Sequence, residues 1–411
     1  PRRRMNDFAP LLVDEVMPPV PVRQWICSMP WSLRGPMGWD RRLCSDILSV
    51  WSRELMRSYR HRAKRLLGLP SVTWAHPGAV SVLQRWDSAL RLDPHPHTLA
   101  IDGVYVQSPS SSTPEFFMLP EPSQDDLYDL ATRISRKVEK VLEKYGRDDV
   151  HSSSEEEQTV LGTCMSASAQ GMDLLGDRPG RPTQCLRVVP PVPSTHAKPL
   201  PLVDVDGFNI HAARTVHEHD RNGLLRLARY IARPPIANER LHIEPDGRVR
   251  YDMKRTWSDG TSAIVLSPLD FISRLCALIP PPYFNLTRYH GVLAAGARHR
   301  GAVVPCVTLP ERSPQQLWLP GFAPEAGEDV EGSRGRERRS GGRHPWAELL
   351  RRTFRVDVET CSRCGSAMRL LELCTEPRSI ERALVREGLG PMPPPRRLSR
   401  ERRGGQQELE L

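Results

Sequence analysis

Five large side chains, Leu43, Ile47, Trp51, Leu55 and Tyr59, recur at intervals of four residues. This spacing lines them along one stripe of a long amphipathic helix over 41–66, a stripe that must be buried. The later turns of that helix carry Arg53, Arg57, Arg60, Arg62, Lys64 and Arg65, a crowd that fits a solvated face or a phosphate-contacting surface. Around this helix the pattern changes period repeatedly. Val80–Trp86 and His95–Val106 read as strands, and Asp125–Tyr145 as a second helix with Leu127, Leu130, Ile134, Val138 and Leu142 at helical spacing. Asp220–Arg233 reads as a helix stopped by Pro234 and Pro235. Leu241–Met253 alternates about Pro245-Asp246-Gly247, a hairpin signature, and Thr261–Leu266 reads as a strand. Ser267-Pro268-Leu269-Asp270 opens a helix running to about Ile279, with Ser as N-cap and Pro at the first helical position. Strands and helices alternating irregularly, with a hairpin among them, specify an α+β fold.

Between these elements, residues 1–40 read as irregular with short extended pieces, and 146–200, rich in Ser, Glu, Pro and Gly, as a flexible insert. The 40 prolines among 411 residues are about twice the usual frequency of roughly 5% and concentrate in linkers. The resulting organisation is 1–106, the first part of a divided domain, with the His95–His97 strand; 107–200, a helix and flexible insert; 201–310, its second part, with the helix over 220–233 and the hairpin; 311–345, a linker; and 346–411, a small segment with a disordered tail. A formal net charge of +9, from 58 Lys and Arg against 49 Asp and Glu, suits a polyanionic partner, a membrane surface or simple solubility. Nine scattered cysteines are no disulfide framework. No apolar run reaches the roughly 18–20 residues that span a bilayer. A cytoplasmic protein without a membrane partner is expected. The chain starts at Pro1, with its first methionine at Met5, which suggests a truncated beginning.

Three groups of residues suggest chemistry. In His95-Pro96-His97, alternate residues of a strand share a face, so both imidazoles can converge on a divalent ion; the same pair also reads as two ordinary surface histidines. In the helix over 220–233, Leu224, Leu227, Ala228 and Ile231 make the buried stripe and Arg226, Arg229 and Arg233 the opposite face. Tyr230 falls on the flank between them, either as a half-buried tyrosine or as a phenol placed to meet a phosphate. Together, metal and tyrosine suggest attack on a phosphodiester to give a covalent phosphotyrosine. No phosphate-binding GxxxxGK[ST] loop is present. Third, Cys361 and Cys364 form one CxxC; a structural zinc needs four ligands, and Cys374 and His344 are the nearest additions. Free thiols in a knuckle turn are the alternative.

Several stretches in order resemble the HUH-type transposases of rolling-circle insertion sequences. They are Val22-Arg23-Gln24-Trp25 with Trp39-Asp40, His95-Pro96-His97-Thr98-Leu99-Ala100-Ile101-Asp102-Gly103-Val104-Tyr105, Arg229-Tyr230-Ile231-Ala232-Arg233-Pro234-Pro235-Ile236-Ala237, Arg288-Tyr289-His290-Gly291-Val292-Leu293-Ala294, and Cys361-Ser362-Arg363-Cys364-Gly365 with Met368-Arg369. The resemblance implies an antiparallel sheet flanked by helices, with the paired histidines on a central strand. It implies His95 and His97 as ligands of Mg2+ or Mn2+ and Tyr230 as the nucleophile. The activity implied is nicking and joining of single-stranded DNA at the ends of a bacterial mobile element. Arg226, Arg229 and Arg233 are the expected DNA contacts, and Zn2+ a second metal if the CxxC is completed. For a third ligand beside the histidines, His211 is the candidate and Gln84 the runner-up. The chain departs from the family in lacking a cysteine-rich segment before Arg23, in offering one tyrosine on the nucleophile helix, and in carrying Pro96, which is expected to perturb a central strand. A DNA-binding remnant of a decayed element, without turnover, is the rival reading.

Overall fold

The structure, a computed structural model, describes residues 2–107, 113–146, 159–188 and 202–305, with residues 360, 381–382 and 385–386. The chain divides into two compact units, Pro1–His344 and Pro345–Leu411, and the elements numbered here belong to the first. In order they are α1 (Arg2–Glu15), β1 (Val22–Ser28), α2 (Trp31–Trp39), α3 (Arg41–Leu67), β2 (Ala75–His76), β3 (Gly78–Trp86), β4 (Leu92–Ile101), β5 (Gly103–Val106) and β6 (Glu115–Met118). There follow α4 (Gln124–Lys144), α5 (Val160–Gln170), β7 (Gln184–Arg187), β8 (Leu202–Val205), β9 (Phe208–Val216) and α6 (Arg221–Ile231). The last are β10 (Leu241–Ile243), β11 (Val249–Asp252), β12 (Thr261–Leu266), α7 (Pro268–Leu278), β13 (Thr287–Gly291) and α8 (Arg300–Val303). The fold is α+β. Its centre is a six-stranded sheet in the order β13-β3-β4-β1-β9-β8, antiparallel throughout.

One face of this sheet is covered by α3 and α4. Asp40 caps α3, its side chain accepting from the N–H groups of Arg42 and Leu43 at 2.9 Å, and Gly68 ends it in the left-handed conformation at φ 62°. The expected stripe from Leu43 to Tyr59 is buried against Trp25, Cys27, Leu83 and Ala100. Each such side chain contributes about 1.5–3 kcal/mol by leaving water. Its polar atoms find partners: Trp51 donates its indole N–H to Thr98 Oγ1 (3.0 Å) and Trp25 donates to the Tyr59 hydroxyl (3.0 Å). Of the basic crowd on α3, Arg62 is buried and pairs with Asp126 at 3.2 Å, Arg65 reaches the same carboxylate at 3.1 Å, and Arg53, Arg57 and Lys64 face solvent. The opposite sheet face carries α1 and α6, which bury Ala9, Leu12, Val13, Leu224, Leu227, Ala228 and Ile231 against Val22, Val80, Leu99 and Ile101. A smaller sheet, β10-β11-β12-β7, packs with α5 and α7 around Leu92, Met165, Tyr251 and Ile264.

Residues 1–40 are not irregular: they hold α1, β1 and α2. Ala9, Leu12, Val13 and Val16 follow helical spacing, but Pro10 lies inside that helix. In α2, Gly35, Pro36 and Gly38 are poor helix formers, and burial of Leu33 and Met37 overrides them. Gly38 packs closely, since a Cβ there would meet the Leu92 side chain at 2.5 Å and displace it. The expected flexible insert over 146–200 likewise contains α5 and β7. The small side chains of α5 show little periodicity, yet Cys164, Met165 and Ala169 are buried. The long strand expected over His95–Val106 breaks at Asp102, giving β4 and β5. Pro96 leaves β4 intact. Its partner Leu83 donates its N–H away from β4, to the Leu286 carbonyl, so this pair exchanges no ladder hydrogen bonds, and on the β1 side the ladder ends at His97. The sequence-predicted linker over 311–345 and the CxxC at Cys361 and Cys364 lie outside the described residues.

Candidate active site

His95 and His97 alternate on β4 and therefore project from one face, the face that packs against α6. His97 lies between Ile26 of β1 and Val82 of β3, and His95 opposite Gln84 of β3. Their Nε2 atoms are 3.1 Å apart. Tyr230 sits in the last turn of α6, which ends at Ile231, capped by Ala232, just before Pro234-Pro235. Its ring meets the His97 ring edge-on, centroids 6.0 Å apart at 84°. The Arg233 guanidinium lies 4.4 Å from the Tyr230 ring centroid and the Lys254 ammonium 5.9 Å from it. Gln84 fixes this arrangement: its amide donates to the Ile231 carbonyl at 3.0 Å and the Tyr230 carbonyl at 3.4 Å, so the open end of α6 is tied to β3.

The imidazoles are held from behind. His95 directs Nδ1 at the Asp93 carbonyl, 2.7 Å away, which turns its Nε2 toward His97. His97 is 3% exposed, and the Gln24 amide contacts its Nδ1 at 2.9 Å. Burial first, then His95 and Arg233, holds His97 well below the ordinary histidine range, so it is a neutral ring. Two convergent imidazole nitrogens backed by a carbonyl and an amide form a donor set that suits a divalent cation. For both Nε2 atoms to face an ion, His97 must carry its proton on Nδ1; turning the Gln24 amide by 180° presents the oxygen that accepts it.

The surroundings are strongly basic. Burial, followed by Arg233, Arg255, Arg240 and Arg214, lowers the Lys254 ammonium below its ordinary value. Arg214 comes from β9, where a bulge separates the Gln24–Arg214 and Ile26–His211 pairs. Three positions of β9 then match two of β1, so His211 and Arg214 both project from the α6 face.

Of the sequence-predicted residues, His95, His97, Tyr230 and Arg233 come together. Arg226 is exposed and pairs with Asp220 at 3.9 Å, and Arg229 is half-buried on the same helix. His211 shares the face but stands two strands from His97, with Ile26 between, about 9.6 Å at ordinary strand spacing. Among the described residues, no group of three or more His, Cys, Asp or Glu side chains is placed to hold an ion. Gln24, Arg214, Arg240, Lys254 and Arg255 were not singled out as site residues from the sequence. Gln24 alone left a signal, its place in the Val22–Trp25 stretch; the others arrive by strand pairing and the hairpin.

A family model described as "Putative transposase" (Y2_Tnp) matches residues 78–300. The chain belongs to this transposase family. The matched span is more than half of the chain and includes His95, His97, Tyr230 and Lys254, whereas β1 with Gln24 precedes it. No curated protein and no solved structure matches the transposase. Among its described residues no helix is long and apolar enough to cross a membrane.

Proposed function

We propose that this transposase nicks and rejoins single-stranded DNA at the ends of a bacterial mobile element through Tyr230, as in rolling-circle transposition in the cytoplasm. The observation that carries the reading is the Tyr230 ring set against buried His97, flanked by Arg233 and Lys254, where two imidazole nitrogens converge. His95 and His97 would hold Mg2+ or Mn2+, which when bound supplies Lewis-acid polarisation of a phosphate. Arg233 and Lys254 hold the non-bridging oxygens of the scissile phosphate and offset their charge. The Tyr230 oxygen forms a bond to phosphorus and gives up its phenolic proton. The bond from phosphorus to the 3′ oxygen breaks, and that oxygen leaves as a 3′-hydroxyl. The strand stays attached through its 5′ phosphate. Attack of a 3′-hydroxyl on the phosphotyrosine reverses the step and joins strands, so no nucleotide is consumed.

The experiment is incubation of the chain with labelled single-stranded DNA and Mn2+, followed by mass-spectrometric mapping of the adduct. Wild type forms an adduct at Tyr230. Tyr230→Phe lowers cleavage by about 10³-fold or more while still binding DNA, because the basic groups remain. Tyr289→Phe is the control: that phenol is half-buried against the α1/α6 core, and burial raises its pKa. An adduct at Tyr289, or cleavage unchanged in Tyr230→Phe, overturns the assignment. Binding without any cleavage by wild type identifies a DNA-binding remnant.

A further inference from the structure

A second basic cavity lies at another place in the first unit. Arg60 of α3, His76 of β2, Pro77, Gly291 and Val292 at the end of β13, and Ala297, Arg298 and His299 before α8 enclose about 270 Å³. Its floor is made by close backbone approach. The Val292 N–H donates to the Pro77 carbonyl at 2.9 Å. Gly291 adopts φ 58°, and a Cβ there would stand 1.9 Å from the same oxygen. Beside this floor the His76 and His299 rings meet at a tilt, centroids 4.6 Å apart at 52°. Four side chains that donate hydrogen bonds therefore line the cavity, and no acid does. Among the described residues no carboxylate pairs with any of the four. Burial, then His299, Arg60 and Arg298, lowers the His76 pKa, with no acidic group counteracting. A site built from two guanidiniums and two imidazole N–H groups is complementary to a tetrahedral oxyanion. At this volume, just below the roughly 300 Å³ of the smallest small-molecule clefts, it admits a phosphate with its adjoining sugar and little more.

We infer that Arg60, His76, Arg298 and His299 bind a backbone phosphate of the DNA strand, away from the cleavage point. The inference rests on the reading of the chain as a DNA-nicking enzyme. From Val82, the partner of His97, to Pro77 is five residues of nearly continuous strand, about 17 Å. That span is at most about five nucleotides at the 3.4 Å rise per phosphate of a stacked strand, and fewer when the single strand is extended. β13 is the edge strand on this side, so a strand leaving Tyr230 rounds that edge to reach the cavity. Within the stretch Arg288–Ala294, which the chemistry at Tyr230 does not use, Gly291 and Val292 then have a function: they build the cavity floor.

The test uses full-length Tyr230→Phe, which cannot cleave, with histidines labelled at Cε1 and the two signals assigned by His76→Asn and His299→Asn. Inorganic phosphate and an uncleavable single-stranded DNA are titrated separately at constant ionic strength, with chloride as the reference anion. Both ligands are expected to move the His76 and His299 signals and raise the His76 pKa, while chloride does neither. In a second arm, Arg60→Gln/Arg298→Gln, checked for folding by thermal melting, should make the slope of log K for DNA against log salt shallower by about 0.7, one phosphate contact. Signals that respond to phosphate but not to DNA assign the cavity to a free phosphate and overturn the DNA inference. Silence to both, a response matched by chloride, or an unchanged salt slope overturns it as well. Adduct formation by wild type is scored in parallel and tests Tyr230 alone. Without an adduct but with DNA-responsive imidazoles, the nicking reading falls and the cavity stands.

Discussion

The two faces of the six-stranded sheet are built from the same strands and differ in how they use their polar groups. On the α3 face, polar atoms serve the core. Trp51, Ser81, Thr98 and His290 share one chain of hydrogen bonds, with Ser81 Oγ 2.8 Å from Thr98 and 3.0 Å from His290 Nε2. Arg23 spans β1 to Asp102 with two contacts of 2.9 Å and donates to the Ala212 carbonyl at 2.8 Å. On the α6 face the strands change character along their length. Val22, Leu99, Ile101 and Val80 are apolar where α1 and α6 cross them, and two to four residues further along the same rows lie Gln24, His97, His95 and Gln84. There the Asp93 carbonyl and the Gln24 amide hold the imidazoles of His95 and His97, and Gln84 ties the end of α6 beside Tyr230. One face fixes the positions of the strands; the other uses that fixity to place nitrogens within about a hydrogen-bond length of each other.

This contrast is broken most severely from the structural side. Arg23 and Asp102 are 5% and 7% exposed in their side chains, and removing the Asp102 charge leaves the buried Arg23 only the exposed carboxylate of Glu121, 3.1 Å away. Asp102→Asn is expected to cost about 3–5 kcal/mol, read from denaturant unfolding. Tyr230→Phe, which removes one oxygen at the edge of the helix stripe, should stay within about 0.5 kcal/mol of wild type. Similar losses in the two variants would mean that Tyr230 belongs to the core and that the faces do not divide the labour.

A smaller effect on the α3 face comes from acid. Burial, reinforced by the Arg288 guanidinium, lowers the His290 pKa from 6.5 to about 4. The unfolded chain therefore takes up a proton near pH 6.5 that the folded chain refuses until about pH 4. Stability is complete above pH 6.5 and is lost as the pH falls toward 4, by at most about 3 kcal/mol from this group. Denaturant midpoints across this range should fall for wild type and fall less steeply for His290→Gln. Equal slopes for the two proteins would remove His290 from the account.

What was legible in the sequence follows the same division. The stripe of α3, the stripe of α6, the Ser267 cap and the turn at Gly247 are local patterns set by periodicity and by φ, and the structure reproduces them. The His-x-His pair and Tyr230 were legible because strand alternation and helix phase are local as well. The structure then brings them together. Helix α1 was hidden by Pro10 inside an otherwise regular stripe, and α5 by side chains too small to show a period. Arg214 and Lys254 were hidden for a different reason. Their approach to Tyr230 depends on a bulge in β9 and on the path of the hairpin, and neither is encoded by spacing. His211 shows the same limit from the other side: it shares the face of His97, but pairing inserts Ile26 between them.

The finest test of the division concerns Gln24, where a core position supports a site residue. It is 4% exposed, and its amide touches His97 Nδ1 at 2.9 Å, so by position it is part of the packing and by contact part of the proposed metal site. For His97 to offer Nε2 to an ion, the ring proton must sit on Nδ1 and be accepted by an oxygen. Gln24 supplies that oxygen with a half-turn of its amide. Gln24→Leu has nearly the same volume and no acceptor. It is expected to weaken Mn2+ binding by about 10–100-fold, measured by calorimetry or by the resonance signal of free Mn2+, without reference to DNA cleavage. Gln24→Glu keeps an acceptor and should bind Mn2+ more tightly than the leucine variant. A merely structural role predicts the opposite order, since a buried carboxylate disturbs packing more than leucine does. Equal affinities in wild type and Gln24→Leu would place the ion away from His97 and leave Gln24 as a core residue.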